Sequence, residues 1–258
     1  MKITILTLFP EMFDGFLTNS IIKRAIAKAL VEVRIVNTRD YTKDKYGRVD
    51  SATIGGGAGL LMKCQPIIDC LKDNKTNDSR VVLLSPRGKT YNQQKAREIS
   101  ANCKDLVIIC GHYEGVDERV NSYVDELISI GDYILTGGEV ASMAIADSII
   151  RLLDGAITME STEEESFENG LLEYPQYTEP YDYNGEKVPD ILYSGNHQAI
   201  NKWRQKESLR LTRKYRKDLF DKYQLTKADI KLLKEVDDGV DQPKWLTDAL
   251  AKGKKFIK

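Results

Sequence analysis

An α/β fold with a parallel sheet covered on both faces, followed by a small all-helical segment, is the architecture this sequence predicts. Over residues 1–155, short apolar, β-branched runs alternate with helical patterns. Such alternation makes successive strands parallel, because each helix carries the chain back across the sheet. The runs are almost continuously apolar rather than apolar at every second residue, as strands buried on both faces are. The composition then changes near residue 156 and again near residue 196, where the chain becomes basic.

KITILTL (2–8) reads as the first strand. Ser20 reads as the N-cap of the helix IIKRAIAKAL, VEVRIV (31–36) as the second strand and residues 66–72 as a short helix. RVVLL (80–84), LVIIC (106–110) and residues 127–135 are further strands, with helices over 92–101 and 138–152. Together they form a first domain, residues 1–155. Residues 156–195 read as an acidic linker or lid. There ten acids face one base, Lys187, while Pro175, Pro180 and Pro189 discourage long helices. Residues 196–258 read as a basic helical domain.

At 258 residues with 41% apolar side chains, the chain can bury a substantial core. No run approaches the ~18 apolar residues of a membrane span. The opening MKITILTLFPEMFDGF lacks a small-residue cleavage site, so it is read as a strand and the protein is expected in the cytoplasm. Cys64, Cys70, Cys103 and Cys110 form no C-x-x-C pair and have no zinc-like spacing to His112 or His197. Reduced, buried thiols and no metal site are expected.

The net charge of −1 hides an asymmetry. Residues 1–198 hold 21 Lys/Arg and 30 Asp/Glu, and residues 199–258 hold 17 and 9. From Lys202 to Lys217 eight bases accompany one acid, so few partners exist within the segment and like charges repel. A solvated helix face is the bland reading. A polyanion, with nucleic acid the first candidate, is the functional one.

The usual nucleotide fingerprints are missing. There is no G-x-G-x-x-G between strand and helix and no G-x-x-x-x-G-K-[ST], and GGGAG (55–59) follows a polar stretch rather than a strand. Instead LLSPRG (83–88), ICGHYEG (109–115) and SIGDYILTGGE (129–139) each place small or turn-forming residues after an apolar strand. In a parallel sheet such loops gather in one crevice, where glycine lets a ligand approach the main chain. They also read, more plainly, as tight turns.

LTLFPEMF (6–13), GGGAGLLM (55–62), CGHYEGVDER (110–119), SIGDYILTGGE (129–139), NGLLEYPQYT (169–178) and SGNHQAINKWR (194–204) stand in that order along nearly the whole chain. The set resembles the bacterial tRNA (guanine-N1)-methyltransferases that modify guanine 37, beside the anticodon. The resemblance implies a SPOUT-type α/β domain with a deep trefoil knot. It also implies a homodimer with its active site at the subunit interface, and S-adenosylmethionine as methyl donor. It admits Mg²⁺ as an accessory ion.

By that resemblance, Leu84, Ser85 and Pro86, then Gly111, then Ile130, Gly131, Asp132, Tyr133, Ile134 and Leu135 line the donor pocket. Gly137 and Gly138 let the chain pass close to the donor, and Tyr113, Glu114 and Gly115 stand where donor and guanine meet. Asp132 orders the loop or binds the donor. His197, Lys202, Arg204, Arg213 and Arg216 are the candidate RNA contacts, His197 being equally readable as part of a helix start.

Methylating guanine N1 removes a weakly acidic proton and leaves charge on O6. The reaction therefore needs a base near N1 and a cation near O6. Arg151 matches the family's arginine for the O6 charge. For the base the family has aspartate before Ser-Phe, whereas this chain reads EEESF and offers Glu165. Glu165 could instead close a capping box with Thr162, and Glu114 is the alternative proton acceptor. TEP at 178–180 stands where the family commonly has T-R-P. His112 occupies a position where the family accepts arginine, and is read as structural or substrate-facing. The rival functions are an RNA-binding protein that has lost catalysis, and a related knotted enzyme acting on another RNA.

Overall fold

The computed structural model describes residues 1–157 and 165–253. The chain forms two compact units, Met1–Met159 and Glu160–Lys258.

In the first unit, five strands form a wholly parallel sheet in the order β2-β1-β6-β5-β7. They are β1 (Lys2–Thr7), β2 (Glu32–Asn37), β5 (Arg80–Thr90), β6 (Asp105–Ile109) and β7 (Glu126–Ser129). Alternate residues feed two separate cores. Ile3, Ile5, Leu106 and Ile108 face one, with Ile22 and Ala25 of α2 (Ser20–Ala27), Ile99 of α4 (Gln93–Asn102), and Ile145 and Ile149 of α5 (Glu139–Ile150). Leu6, Val107 and Ile109 face the other, with Ile67, Cys70 and Leu71 of α3 (Cys64–Asn74). Burying each such Leu or Ile is worth roughly 1.5–3 kcal/mol, which is why the strands read as continuous apolar runs. The short α1 (Asp14–Thr18) links β1 to α2.

Three expectations require correction. The strand expected over 127–135 stops at Ser129, because Gly131 takes φ +147° and Ser129 Oγ bonds both the N–H and the carbonyl of Gly131. Residues 130–135 are therefore loop. Ser20 is not an N-cap: it lies inside α2 at φ +52°, and the extended residue before the helix is Asn19. The glycine run 55–59 joins an antiparallel hairpin, β3 (Asp50–Ala52) with β4 (Leu60–Met62), whose strands of three residues each are too short to give a periodic signal.

The second unit contains a hairpin, β8 (Asp182–Tyr183) with β9 (Glu186–Lys187), and the helices α6 (His197–Tyr215), α7 (Lys217–Phe220), α8 (Lys227–Asp237) and α9 (Lys244–Gly253). Leu171 packs with Leu209, Leu232 and Leu233, and Ile191 with Ala199, Ile200 and Ala249. Leu171 and Ile191 belong to the stretch read as a separate linker, so that stretch shares its cores with the helices. Among the described residues no helix is long and apolar enough to cross a membrane.

Candidate active site

The strand expected over 80–84 continues to Thr90, so the first of the three stretches is an irregular segment inside β5 rather than a loop after it; it lies beside the loops that leave the carboxyl ends of β6 and β7. Main-chain bonds join the second to the third: Gly138 N–H donates to Gly111 O at 2.8 Å, and His112 pairs antiparallel with Gly137. A Cβ on Gly138 would lie 2.8 Å from Cys110 Cα, so glycine here is a requirement of close approach. Leu84, where the regular ladder of β5 stops, brings its carbonyl to 3.9 Å from where a Gly111 Cβ would stand. Ser85 is half-buried and Pro86 exposed beside it, where the β5 ladder is interrupted between Leu84 and Lys89.

The third loop presents its side chains outward. Tyr133 is 55% exposed, Ile134 81% and Leu135 38%. Asp132 is also exposed, while Ile130 packs against the first core and Gly131 carries the Tyr133 ring across its α-carbon. Across the crevice Tyr113 takes φ +59° and Gly115 φ +117°. The turn between them is tied to the hairpin: Glu114 N–H donates to Leu60 O, and Met62 N–H to Gly115 O, each at 3.0 Å. The Glu114 side chain lies on Gly59, where any Cβ would strike it. Burial, then a hydrogen bond with Asp50, holds the Tyr113 phenol above its ordinary pKa.

Arg151 is half-buried as the C-cap of α5. Glu165 belongs to the second unit, where it lines a cleft of about 240 Å³ with Asn169, Tyr174, Arg204, Gln205 and Ser208. The Arg204 guanidinium stacks 4.6 Å from the centre of the Tyr174 ring. The capping box that would compete for Glu165 involves Thr162, outside the described residues.

The basic segment departs from the sequence expectation of unpaired, mutually repelling charges. Arg213 meets Asp237 at 2.7 Å and Lys206 meets Glu235 at 3.2 Å, acids contributed by α8. Arg210 pairs with Glu207, Arg216 with Asp218 and Lys217 with Asp221. Lys202 lies 4.5 Å from the Trp245 ring and Lys214 4.8 Å from the Tyr215 ring. Counting charges between 202 and 217 alone missed partners from outside it. The solvent-facing pairs among them, Arg216 with Asp218 and Lys217 with Asp221, are worth about 0–1 kcal/mol each, whereas Lys206 and Glu235 are largely buried. His197 opens α6 and is exposed, and the Asn196 side chain caps the helix through Ala199 N–H.

Burial pushes the Cys70 thiol up to about 12 and raises Cys110 as well. All four cysteines are free thiols. Among the described residues no group of three or more His, Cys, Asp or Glu side chains could hold a metal ion.

Comparison with known proteins accounts for this arrangement. The family model described as tRNA (Guanine-1)-methyltransferase TrmD matches residues 1–222. A tRNA (guanine-N(1)-)-methyltransferase of Malacoplasma penetrans is 55% identical over 223 residues, 86% of this chain and 98% of the relative. Similar proteins so named from Clostridium botulinum (strain Langeland) and Clostridium perfringens (strain SM101) are 53% and 52% identical. Each covers 91% of this chain, matched over 98% and 99% of its own length. With matching blocks running from the first strand into the helices of the second unit, the chain belongs to the tRNA (guanine-1)-methyltransferase family.

Proposed function

We propose that this chain transfers a methyl group from S-adenosylmethionine to N1 of guanine 37 in tRNA. Family membership across 86% of the chain carries the reading most directly. The loop crevice fits such a donor. Gly111, Gly137 and Gly138 keep main chain close to main chain where the second and third loops join, and exposed Tyr133, Ile134 and Leu135 offer apolar cover. When bound, the donor supplies an electrophilic methyl on a sulfonium.

The chain's own residues do the rest. Leu84, Ser85, Pro86, Gly111, Tyr113, Gly115, Ile130 to Leu135, Gly137 and Gly138 hold and orient the donor, with Asp132 ordering the third loop. Glu165 takes the N1 proton in the transition state and Arg151 neutralises charge growing on O6. Glu114 reads the guanine edge. The cleft beside Glu165 is roomy enough for an unstacked base, and Tyr174 under Arg204 gives it a stacking surface. His197, Lys202, Arg204, Arg213 and Arg216 contact the phosphate backbone.

The fold we infer is the SPOUT type with a trefoil knot, in an enzyme that works as a homodimer in the cytoplasm, where tRNA is found. The exposed apolar side chains of the third loop, with Val140 and Met12, are consistent with a face covered by a second copy. Labelled methyl transfer to bulk tRNA tests the proposal. Stoichiometric incorporation supports it, while tRNA binding without incorporation would leave an RNA-binding protein.

A further inference from the structure

Beneath the junction of the second and third loops lies a polar cluster for which the reaction so far has no use. Glu139, the first residue of α5, is only 2% exposed. Its Oε1 accepts a hydrogen bond from Thr7 Oγ1 at 2.8 Å. Thr7 Oγ1 in turn accepts from Phe9 N–H at 2.9 Å, so the hydroxyl proton is directed at Glu139. Oε2 stands 3.7 Å from Nδ1 of His112, a buried nitrogen with no hydrogen-bond partner among the described residues. A Cβ on Gly137 would collide with both groups, so the glycine is what lets them face each other.

An unsatisfied buried polar atom costs about 1–3 kcal/mol. A small rotation that closes Nδ1–H onto Oε2 removes that cost. With the lone pair on Nδ1 instead, nitrogen and carboxylate would repel. The tautomer with its proton on Nδ1 is therefore the one the cluster selects.

The cluster sits where a hold is needed. Tyr113, next in sequence to His112, occupies left-handed backbone, which costs a residue with a side chain about 1–3 kcal/mol. On its far side the turn is fixed by Glu114 N–H to Leu60 O and Gly115 N–H to His112 O. On its near side His112 is held by its main-chain pairing with Gly137 and by its ring, 4.8 Å from the Phe9 ring and 4.9 Å from that of Tyr113.

We propose that Glu139 is a positioning residue for methyl transfer: acting through Nδ1–H of His112, it holds the Tyr113–Glu114 turn against Gly137. The role rests on the reading of the chain as a tRNA methyltransferase. The tautomer that underlies it does not.

Two measurements on the full chain test this. The protein has two histidines, so imidazole nitrogen NMR can be assigned by substitution. In the wild type, neutral His112 should carry its proton on Nδ1. In Glu139→Gln the amide oxygen keeps the Thr7 proton, which turns the NH₂ toward His112 and drives the proton to Nε2. Single-turnover methylation at saturating donor should then fall about tenfold or more, since small misplacements of reacting groups are costly. His112→Leu should lose rate likewise, and His112→Asn, which can place an amide N–H where Nδ1–H stood, should recover most of that loss. An Nε2–H wild type overturns the proposal. So does Glu139→Gln with unchanged rate, or with a lower rate and an unmoved tautomer. If Glu139→Gln does not fold, the wild-type tautomer and the Leu/Asn pair decide. A wild type inactive on tRNA would refute the functional reading alone and leave the tautomer result standing.

Discussion

Alanine at Gly138 adds one methyl group where the second and third loops touch. The native φ of −80° and ψ of −6° suit alanine, so the backbone bears no strain. Loss of unfolded-state freedom would even favour alanine by about 0.4–1 kcal/mol. Against this, the new Cβ would stand 2.8 Å from Cys110 Cα and 3.1 Å from Gly111 N, both main-chain atoms that cannot yield alone. The loops must part, at about 1–3 kcal/mol for overpacking. The Gly138 N–H bond to Gly111 O goes with them, at a further ~0.5–1.5 kcal/mol. The balance is a destabilisation of about 2 kcal/mol, within about 1–4. If donor binding requires the joined loops, the same energy weakens it by roughly 30-fold. Urea denaturation reads the first quantity and calorimetric titration of S-adenosylmethionine into the folded variant reads the second. Gly115→Ala, at φ +117° with no atom within 4 Å of the new Cβ, isolates backbone strain as a control. Wild-type stability together with wild-type donor affinity in Gly138→Ala would refute the close-approach reasoning.

Four further outcomes follow from the same account. Gly131→Val should abolish donor binding in a folded protein, because φ +147° excludes a β-branched residue and its Cβ would press on the Tyr133 ring; calorimetry checks this. Arg151→Ala and Glu165→Gln should each slow single-turnover methylation by about 10²-fold or more with tRNA affinity nearly intact, since both act on charge that develops in the transition state. Replacing Lys202, Arg204, Arg213 and Arg216 together with alanine should weaken tRNA binding and flatten its dependence on salt while donor binding survives, as filter binding across a salt series would report. Hydrogen bonds from Arg80 and then Lys95 hold the Glu98 carboxyl down at about 2, from an ordinary 4.5. Its contribution is thus present above the ordinary value and lost as pH falls toward about 2, and Glu98→Gln should flatten acid unfolding in that window.

How much of this was legible in the residues depended on how local each cause was. The runs at 2–8, 80–84 and 106–110 announced three strands of the sheet, because burial on both faces leaves little room for charged side chains, and VEVRIV announced the edge strand β2, on which Glu32 and Arg34 are exposed. The stretch 127–135 looked like a longer strand, since β-propensity says nothing of a loop in which Gly131 reverses the backbone. One hairpin had an unused signal: Asn184-Gly185, both at positive φ, is the two-residue turn that β8 and β9 require. The hairpin at 50–62 had none, its strands being only three residues each. Partners distant in sequence were invisible. Asp237 and Glu235 neutralise Arg213 and Lys206 from another helix, and Thr7, His112 and Glu139 meet only because β1, the loop after β6 and α5 converge. The candidate site residues come from resemblance, and their grouping in three stretches from the rule that ligands bind at the carboxyl ends of parallel strands.

The central claim is a position and an atom: N1 of guanine 37. A methyl group there blocks the Watson–Crick edge, so reverse transcriptase halts beside it. Purified protein, S-adenosylmethionine and two tRNA transcripts that differ only in guanine or adenine at position 37 test both at once by primer extension. The account predicts a donor-dependent stop beside position 37 in the guanine transcript and none in the adenine one. Donor-dependent methylation that leaves extension through guanine 37 unimpeded, or a stop at another nucleotide, would contradict it.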